Sequence, residues 1–429
     1  MARPSSDWKH EEGSIHMLRY LLKKNKIDAA AYGISPENMV FIEEIIRGEE
    51  KKGDKGANRK GRDKNKWYLY DIVNNLRSGL DVDKLDYFQR DMHYANVEFA
   101  STASFERFIA EARIIPADPV DEVSLCNIVM LGASIPTREL MACYPEKMAP
   151  AAMDFFSCRF RMHKTVYTHK SVKQVEFMIC DAMLAADPYI LIRGEATAVH
   201  PDGFYRISEC IDHASALARL NDNILEVIKH DPRPELKTAQ DILERLEKRE
   251  LYTCQGSSPF LRSDKIFTMC KEEISDKICK LSKKLAEGTY ENALLSGYDD
   301  DDEGFASQNS LSQSSTHNGN GHYKTFAEIE AADIIVEKMH VHHGLKDKNP
   351  VSRMRFYKKT NGSGTEGPVG TQVVDQSFDL PREFEKMSVR IFCRSMNKLK
   401  ARTARVAFEI WCSEEGAPAP FPSSADDEN

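Results

Sequence analysis

DVDKLDYFQRD, residues 81–91, carries a helical period and a chemical pattern at once. On a helix starting near Asp83, positions 83, 87 and 91 fall four apart and share a face. That face reads Asp, Tyr, Asp, with Lys84 at its flank. Two readings fit it. Carboxylates ligate hard cations and a lysine neutralises phosphate, so the face suits a metal or polyphosphate site. The same spacing also describes a solvated helix laced with i,i+4 pairs, such as Asp86 with Arg90.

Helical periodicity continues on both sides. It runs over 8–24, over a helix started by Ser35 as N-cap with Pro36 in its first turn, and over 67–78, 83–95, 104–113, 152–186, 208–229 and 235–251. Residues 51–66 form a basic, glycine-containing loop with eight Lys/Arg and two Asp, read as a solvated connector or a phosphate-contacting or localisation segment. The segment 115–145 fits no regular element. Residues 296–322 are acidic and then Ser/Asn/Gly-rich, the composition of a disordered linker. Beyond it, 333–341, 353–359 and 387–394 alternate with period two and read as strands, and 397–412 as a closing helix. The fold class expected is mainly α, a helical body with a small α+β C-terminal lobe. The domains expected are a helical body over 1–255 with an irregular insertion at 115–145, a helical connector over 256–295, the linker 296–322, the lobe 323–412 and a disordered tail 413–429.

Composition narrows the function class. At 429 residues and 41% hydrophobic, the chain is too apolar to be disordered throughout and long enough for an enzyme core. No run of about 18 apolar residues occurs, so no membrane-spanning helix is expected. The ten cysteines contain no CxxC pair, which argues for reduced thiols in a nuclear or cytoplasmic protein. The net charge of −8 argues against a bulk nucleic-acid coat, leaving local basic patches open.

Two further patterns bear on chemistry. In FFSCRFRMHKTVYTHK (155–170), Phe156, Arg159, His163, Tyr167 and Lys170 step by three or four, beside an apolar stripe of Phe155, Cys158, Met162 and Val166. An amphipathic helix with a solvated basic face has this pattern. So has the wall of an anion-binding cleft, with an Arg fork for phosphate, a titrating His and a Tyr to stack. His10, followed by two glutamates, reads as polar surface or as a general acid oriented by a carboxylate. His340, His342 and His343 read as polar positions rather than a metal site.

Taken together, WKHEEGS (8–14), LYDIVNNLRSGLDVDKLDYFQRD (69–91), RFIAEAR (107–113), FRMHKTVYTHK (160–170), DAMLAADPYI (181–190), FYRISECID (204–212), KNPVSRMRFY (348–357) and VRIFCR with ARTARVAFEIWC (389–394, 401–412) resemble one family. It is the SAM- and HD-domain-containing deoxynucleoside triphosphate triphosphohydrolases of vertebrates. The resemblance implies hydrolysis of a dNTP to deoxynucleoside and triphosphate at a divalent metal (Mg, Mn, Zn or Fe), with dNTP or GTP as allosteric activators. It also implies a nuclear homotetramer acting in nucleotide-pool control and innate immunity. Carried over by position, Asp83 corresponds to a metal ligand and His10 to the histidine that protonates the leaving group. Lys84, Tyr87, Asp91, Arg159, His163 and Tyr167 correspond to substrate contacts. Arg107, Lys147, His169 and Lys170 correspond to inter-subunit nucleotide positions.

The departures from the family pattern set a second expectation. No His-Asp dipeptide occurs ahead of the WxHEEGS segment, where the family places that motif. The other metal ligands and the guanine-nucleotide activator residues are therefore expected upstream of residue 1, and this chain alone is expected to be weak or inactive. Thr168 replaces a family Gln, an inter-subunit Arg is replaced near Pro145, and GPVGTQVVDQSFDLP (367–381) replaces a basic activator strand. The alternatives are a catalytically silent nucleotide-binding subunit pairing with a full-length paralogue, or a single-stranded nucleic-acid module using 51–66 and the 159–170 face.

Overall fold

The computed structural model describes residues 8–48, 59–98, 102–118, 138–290, 326–358, 369–372 and 380–421. The linker 296–322 and most of the 115–145 insertion lie outside them. The chain divides into two compact units, each drawn from separated stretches: residues up to 169 with 179–247 and 341–385, and residues 170–178 with 248–340 and from 386 onward. The fold is mainly α with small sheets, as expected.

In the first unit, helices α1 (His10–Lys24) and α2 (Pro36–Arg47) pack together. Ser35 Oγ accepts from the Asn38 amide at 3.2 Å and Pro36 fills the first turn, as the sequence predicts. Helix α3 (Tyr70–Val73) is short, preceded by a 3-10 turn over Lys64–Leu69, so the helix expected at 67–78 is broken. The reason is local. Asn75 Oδ1 accepts from the Arg77 and Ser78 amides, a side-chain turn that competes with helix.

Helix α4 (Val82–Ala95) begins one residue earlier than expected because Asp81, not Asp83, is its cap. Asp81 Oδ1 accepts from the Lys84 amide at 3.0 Å. Leu85, Phe88 and Met92, at i, i+3 and i+7, are buried. They meet α5 (Thr102–Glu111), which brings Phe105 and Phe108, and α6 (Ala149–Met162), which brings Phe155, Cys158 and Met162. Each fully buried Phe contributes roughly 1.5–3 kcal/mol relative to exposure. Strands β1 (Arg113–Ala117) and β2 (Glu139–Pro145) pair antiparallel with Arg113 opposite Cys143. The ends of the 115–145 segment are thus regular, contrary to expectation.

The expected helix 152–186 is two helices. Between α6 and α7 (Lys170–Ala186) the chain makes a π turn over His163–Tyr167. β-Branched Thr165 and Val166 sit in this turn, and the Thr168 amide donates to the His163 carbonyl five residues back, at 2.9 Å. A small antiparallel pair, β3 (Leu191–Arg193) and β4 (Phe204–Arg206), follows. The helix expected at 208–229 is a 3-10 turn (Ile207–Asp212), α8 (Ala214–Leu217) and α9 (Ile224–His230); α10 (Lys237–Glu247) completes this set.

In the second unit, β5 (Thr253–Phe260) opens the stretch expected as a helical connector. Helices α11 (Lys265–Thr268) and α12 (Lys271–Ala286) follow it. Strands β6 (Ile334–His342) and β8 (Glu385–Cys393) complete a sheet in the order β5-β8-β6, and α13 (Lys398–Glu414) buries Ala404, Ala407, Phe408 and Trp411. Back in the first unit, the expected strand 353–359 is a 3-10 turn over Pro350–Arg353 and a two-residue strand, β7 (Phe356–Tyr357), parallel to β2. Part of the expected tail is ordered: Ser258 Oγ donates to the Pro418 carbonyl at 2.7 Å, and Phe421 pairs with Ser257. His343, expected as a polar position, is a buried one, stacked on Phe160 at 4.4 Å. The nine cysteines among the described residues are free, and no described helix is long and apolar enough to cross a membrane.

Candidate nucleotide-binding site

Helix α4, helix α6 and the π turn bring six of the expected residues to one wall. The link is a hydrogen bond: Tyr167 Oη donates to Asp91 Oδ2 at 2.6 Å. The Tyr87 and Tyr167 rings lie 6.4 Å apart, and His163 meets the edge of Tyr167 at 5.1 Å. The π turn rotates this end of the helix, and π turns recur where backbone geometry serves a site. Thr168 donates its hydroxyl to the His163 carbonyl at 2.7 Å and steadies the turn.

The electrostatics follow from burial beside a guanidinium. Burial holds Arg159 below its ordinary value, although its charge still acts on its neighbours. Burial first and Arg159 second push His163 down to about 4, so its imidazole is neutral at pH 7. Burial lifts Tyr87 to about 12 against the pull of Arg159, and Tyr167 is raised by burial and by its bond to Asp91. Both tyrosines are therefore neutral ring faces with hydroxyl donors. Arg159 Nη1 donates to the His342 carbonyl, which fixes the guanidinium's direction. Lys84 Nζ meets Asp81 Oδ2 at 2.6 Å, and the Asn75 amide donates to the same oxygen at 3.1 Å. Asp81, fully buried as a side chain, thus both caps α4 and aims Lys84, a role hidden in the sequence by the adjacent Asp83. The solvated-helix reading is also partly met, since Arg90 pairs with Asp86.

A neutral imidazole, two ring faces, a guanidinium and an ammonium on one wall can bind an anion joined to a planar group. They do not make a metal centre. Asp83 is exposed, and among the described residues no group of three His, Cys, Asp or Glu stands close enough to hold an ion. A single exposed carboxylate does not fit the divalent metal that the resemblance implies, because a hard cation needs several oxygen ligands at once. His10 opens α1 with its side chain 83% exposed and pairs with Glu11 at 3.4 Å; no described hydrogen bond or ion pair joins it to the wall.

The expected inter-subunit residues fall in two places. Arg107 is exposed on α5, one turn before Glu111, which faces Lys147 at 3.9 Å. His169 and Lys170 follow the π turn, half-buried. Of the basic loop, 59–66 is described, and its contacts are internal: Arg59 lies over Tyr70 at 4.3 Å, Arg62 over Phe41 at 4.1 Å, and Lys64 pairs with Glu139 at 2.8 Å.

No family model matches the chain. Comparison with known proteins finds 32% identity over 420 residues with the deoxynucleoside triphosphate triphosphohydrolase SAMHD1 of Mus musculus, covering 96% of this chain and 55% of that protein. The protein of the same name from Homo sapiens is 30% identical over 425 residues, covering 98% and 57%, and that from Bos taurus 31% over 418 residues, covering 96% and 60%. The chain therefore spans somewhat more than half the length of the curated relatives it matches. Identity of 32% across 96% of its length supports placing this chain with the family of the deoxynucleoside triphosphate triphosphohydrolase SAMHD1.

Proposed function

We propose that this chain binds a deoxynucleoside triphosphate on the wall of α4, α6 and the π turn, and that its own turnover is impaired. The observation that carries the reading is the Tyr167–Asp91 bond, which locks the two elements bearing Lys84, Tyr87, Arg159 and His163 together. Arg159 and Lys84 receive phosphate oxygens, and the tyrosine faces receive sugar or base. A neutral His163 accepts or donates one hydrogen bond without adding charge. The impairment is supported by the donor set, since Asp83, the residue that corresponds to a metal ligand in the resemblance, stands in solvent with no second ligand beside it among the described residues. The relatives are named as hydrolases of deoxynucleoside triphosphates, and that chemistry comes to this chain as a proposal.

The test pairs calorimetric dGTP binding with an assay for triphosphate release in Mg²⁺ or Mn²⁺. The expected result is binding that R159A removes, with release at background in both the unaltered chain and D83A. Release abolished by D83A overturns the impairment, and absence of dGTP binding overturns the site.

A further inference from the structure

Beside the wall, within the first unit, a pocket of about 220 Å³ opens between the turn at 74–79 and the 3-10 turn Pro350–Arg353. Three cations line it: Lys84, Arg159 and Arg353. No acidic residue does. Lys84 is paired with Asp81. Arg159 spends one nitrogen on a backbone carbonyl, and among the described residues neither Arg159 nor Arg353 has a carboxylate partner. Burial acts on Arg159, whose guanidinium has no carboxylate beside it among the described residues, and Arg353 lines the same small cavity. An anion entering the cavity supplies the counter-charge. Phe156 forms the apolar floor, and the walls over it are glycines at positive φ. Gly79 has φ +78° and Gly344 φ +134°, and a Cβ on Gly344 would stand 3.3 Å from the Phe156 ring. Side chains there would be strained and would narrow the cavity.

Size selects the ligand. Pockets that enclose whole small molecules run to roughly 300–1,000 Å³, so this one suits a fragment. Lys84 and Arg159 belong both to the pocket and to the wall carrying Tyr87 and Tyr167, so the cavity continues the nucleotide site at its cationic end.

We infer that Arg353 is a specificity-determining residue of this chain: it supplies the third cation of a subsite that receives the phosphate chain of the ligand. The inference rests on the nucleotide reading above. It names a residue that neither spacing nor family position marks, since Arg353 lies more than 180 residues beyond Arg159 in the sequence. It also makes the subsite favour polyphosphates over monophosphates, because a longer phosphate chain brings more negative charge and more acceptor oxygens to the three cations.

The test is calorimetric binding of inorganic triphosphate, dGTP, dGMP and deoxyguanosine to the unaltered chain, R353Q and R353K, with circular dichroism to confirm folding. A hydrogen bond between charged groups is worth enough that R353Q should weaken triphosphate and dGTP about tenfold or more. Deoxyguanosine should be unaffected, dGMP should change little, and R353K, a point charge without the fork, should fall between. Unchanged triphosphate and dGTP affinity in a folded R353Q overturns the role of Arg353 and leaves the nucleotide site standing. So does failure of triphosphate to bind a chain that binds dGTP. Loss of both ligands from the unaltered chain overturns the nucleotide reading itself.

Discussion

His163 is a base kept from its proton by its surroundings. Burial and Arg159 hold it at about 4, against an ordinary 6.5. The unfolded chain therefore takes the proton first, and the stability tied to neutral His163 is full above pH 6.5 and lost as pH falls from there toward 4. Asp71 acts with the opposite sign. Its carboxyl is almost fully buried, and burial outweighs the Arg77 guanidinium 3.2 Å away, lifting it to about 6. The folded chain then holds a proton the unfolded chain has shed, so stability is lost as pH rises from about 4 through 6. The two slopes oppose each other across one window, so the total curve hides both, and the difference between variants isolates one. We expect the stability advantage of the unaltered chain over H163N, from urea midpoints, to shrink steadily between pH 6.5 and 4. A pH-independent difference would show that His163 is not held neutral by the fold.

Among the elements, α4 carries Lys84, Tyr87 and Asp91, and Asp81 is its anchor. Its carboxylate caps the helix, accepts the Asn75 amide and holds Lys84. D81A removes a cap worth about 1 kcal/mol and leaves a buried amide unpartnered at a further cost of about 1–3 kcal/mol. We expect a loss of roughly 2–4 kcal/mol with an unchanged urea slope, and a smaller loss for D81N, which keeps the cap. Equal stability of D81A and the unaltered chain would mean α4 is set by packing alone. The sequence made α4 legible because Leu85, Phe88 and Met92 keep a strict helical period around it. It made the Arg159–Tyr167 stripe legible as one face for the same reason. It hid the break after Tyr167, because periods of 3.6 and of the π turn diverge by less than one residue over five. It hid β5 as well: TCQGSSPF (253–260) has no alternation of apolar and polar types, and its burial comes from α13 packing on it. Arg353 was illegible for a different reason, since no local pattern reports which distant turn closes a pocket.

For the whole molecule, the net charge of −8 opposes a polyanionic ligand, and the local cluster of Lys84, Arg159 and Arg353 must overcome it. A low-dielectric cleft focuses field from a few charges, so a negative molecule can still carry a positive site, with affinity that falls as salt rises. Ligand linkage turns this into a measurement. At about 100 times its dissociation constant, dGTP should stabilise the folded chain by about 2.7 kcal/mol, which for units of this size raises the melting midpoint by roughly 5–10 °C. Protein concentration then separates two arrangements. If Arg107 and Lys147, exposed beside α5, take nucleotide between chains, dGTP promotes assembly and the rise grows with protein concentration. We expect that growth in the unaltered chain. We expect R107A to keep the rise found at low concentration and to lose its dependence on concentration, because the wall of α4, α6 and the π turn is untouched. A rise that is the same at every protein concentration in the unaltered chain would confine nucleotide binding to one chain, and the surface around Arg107 would have no part in it.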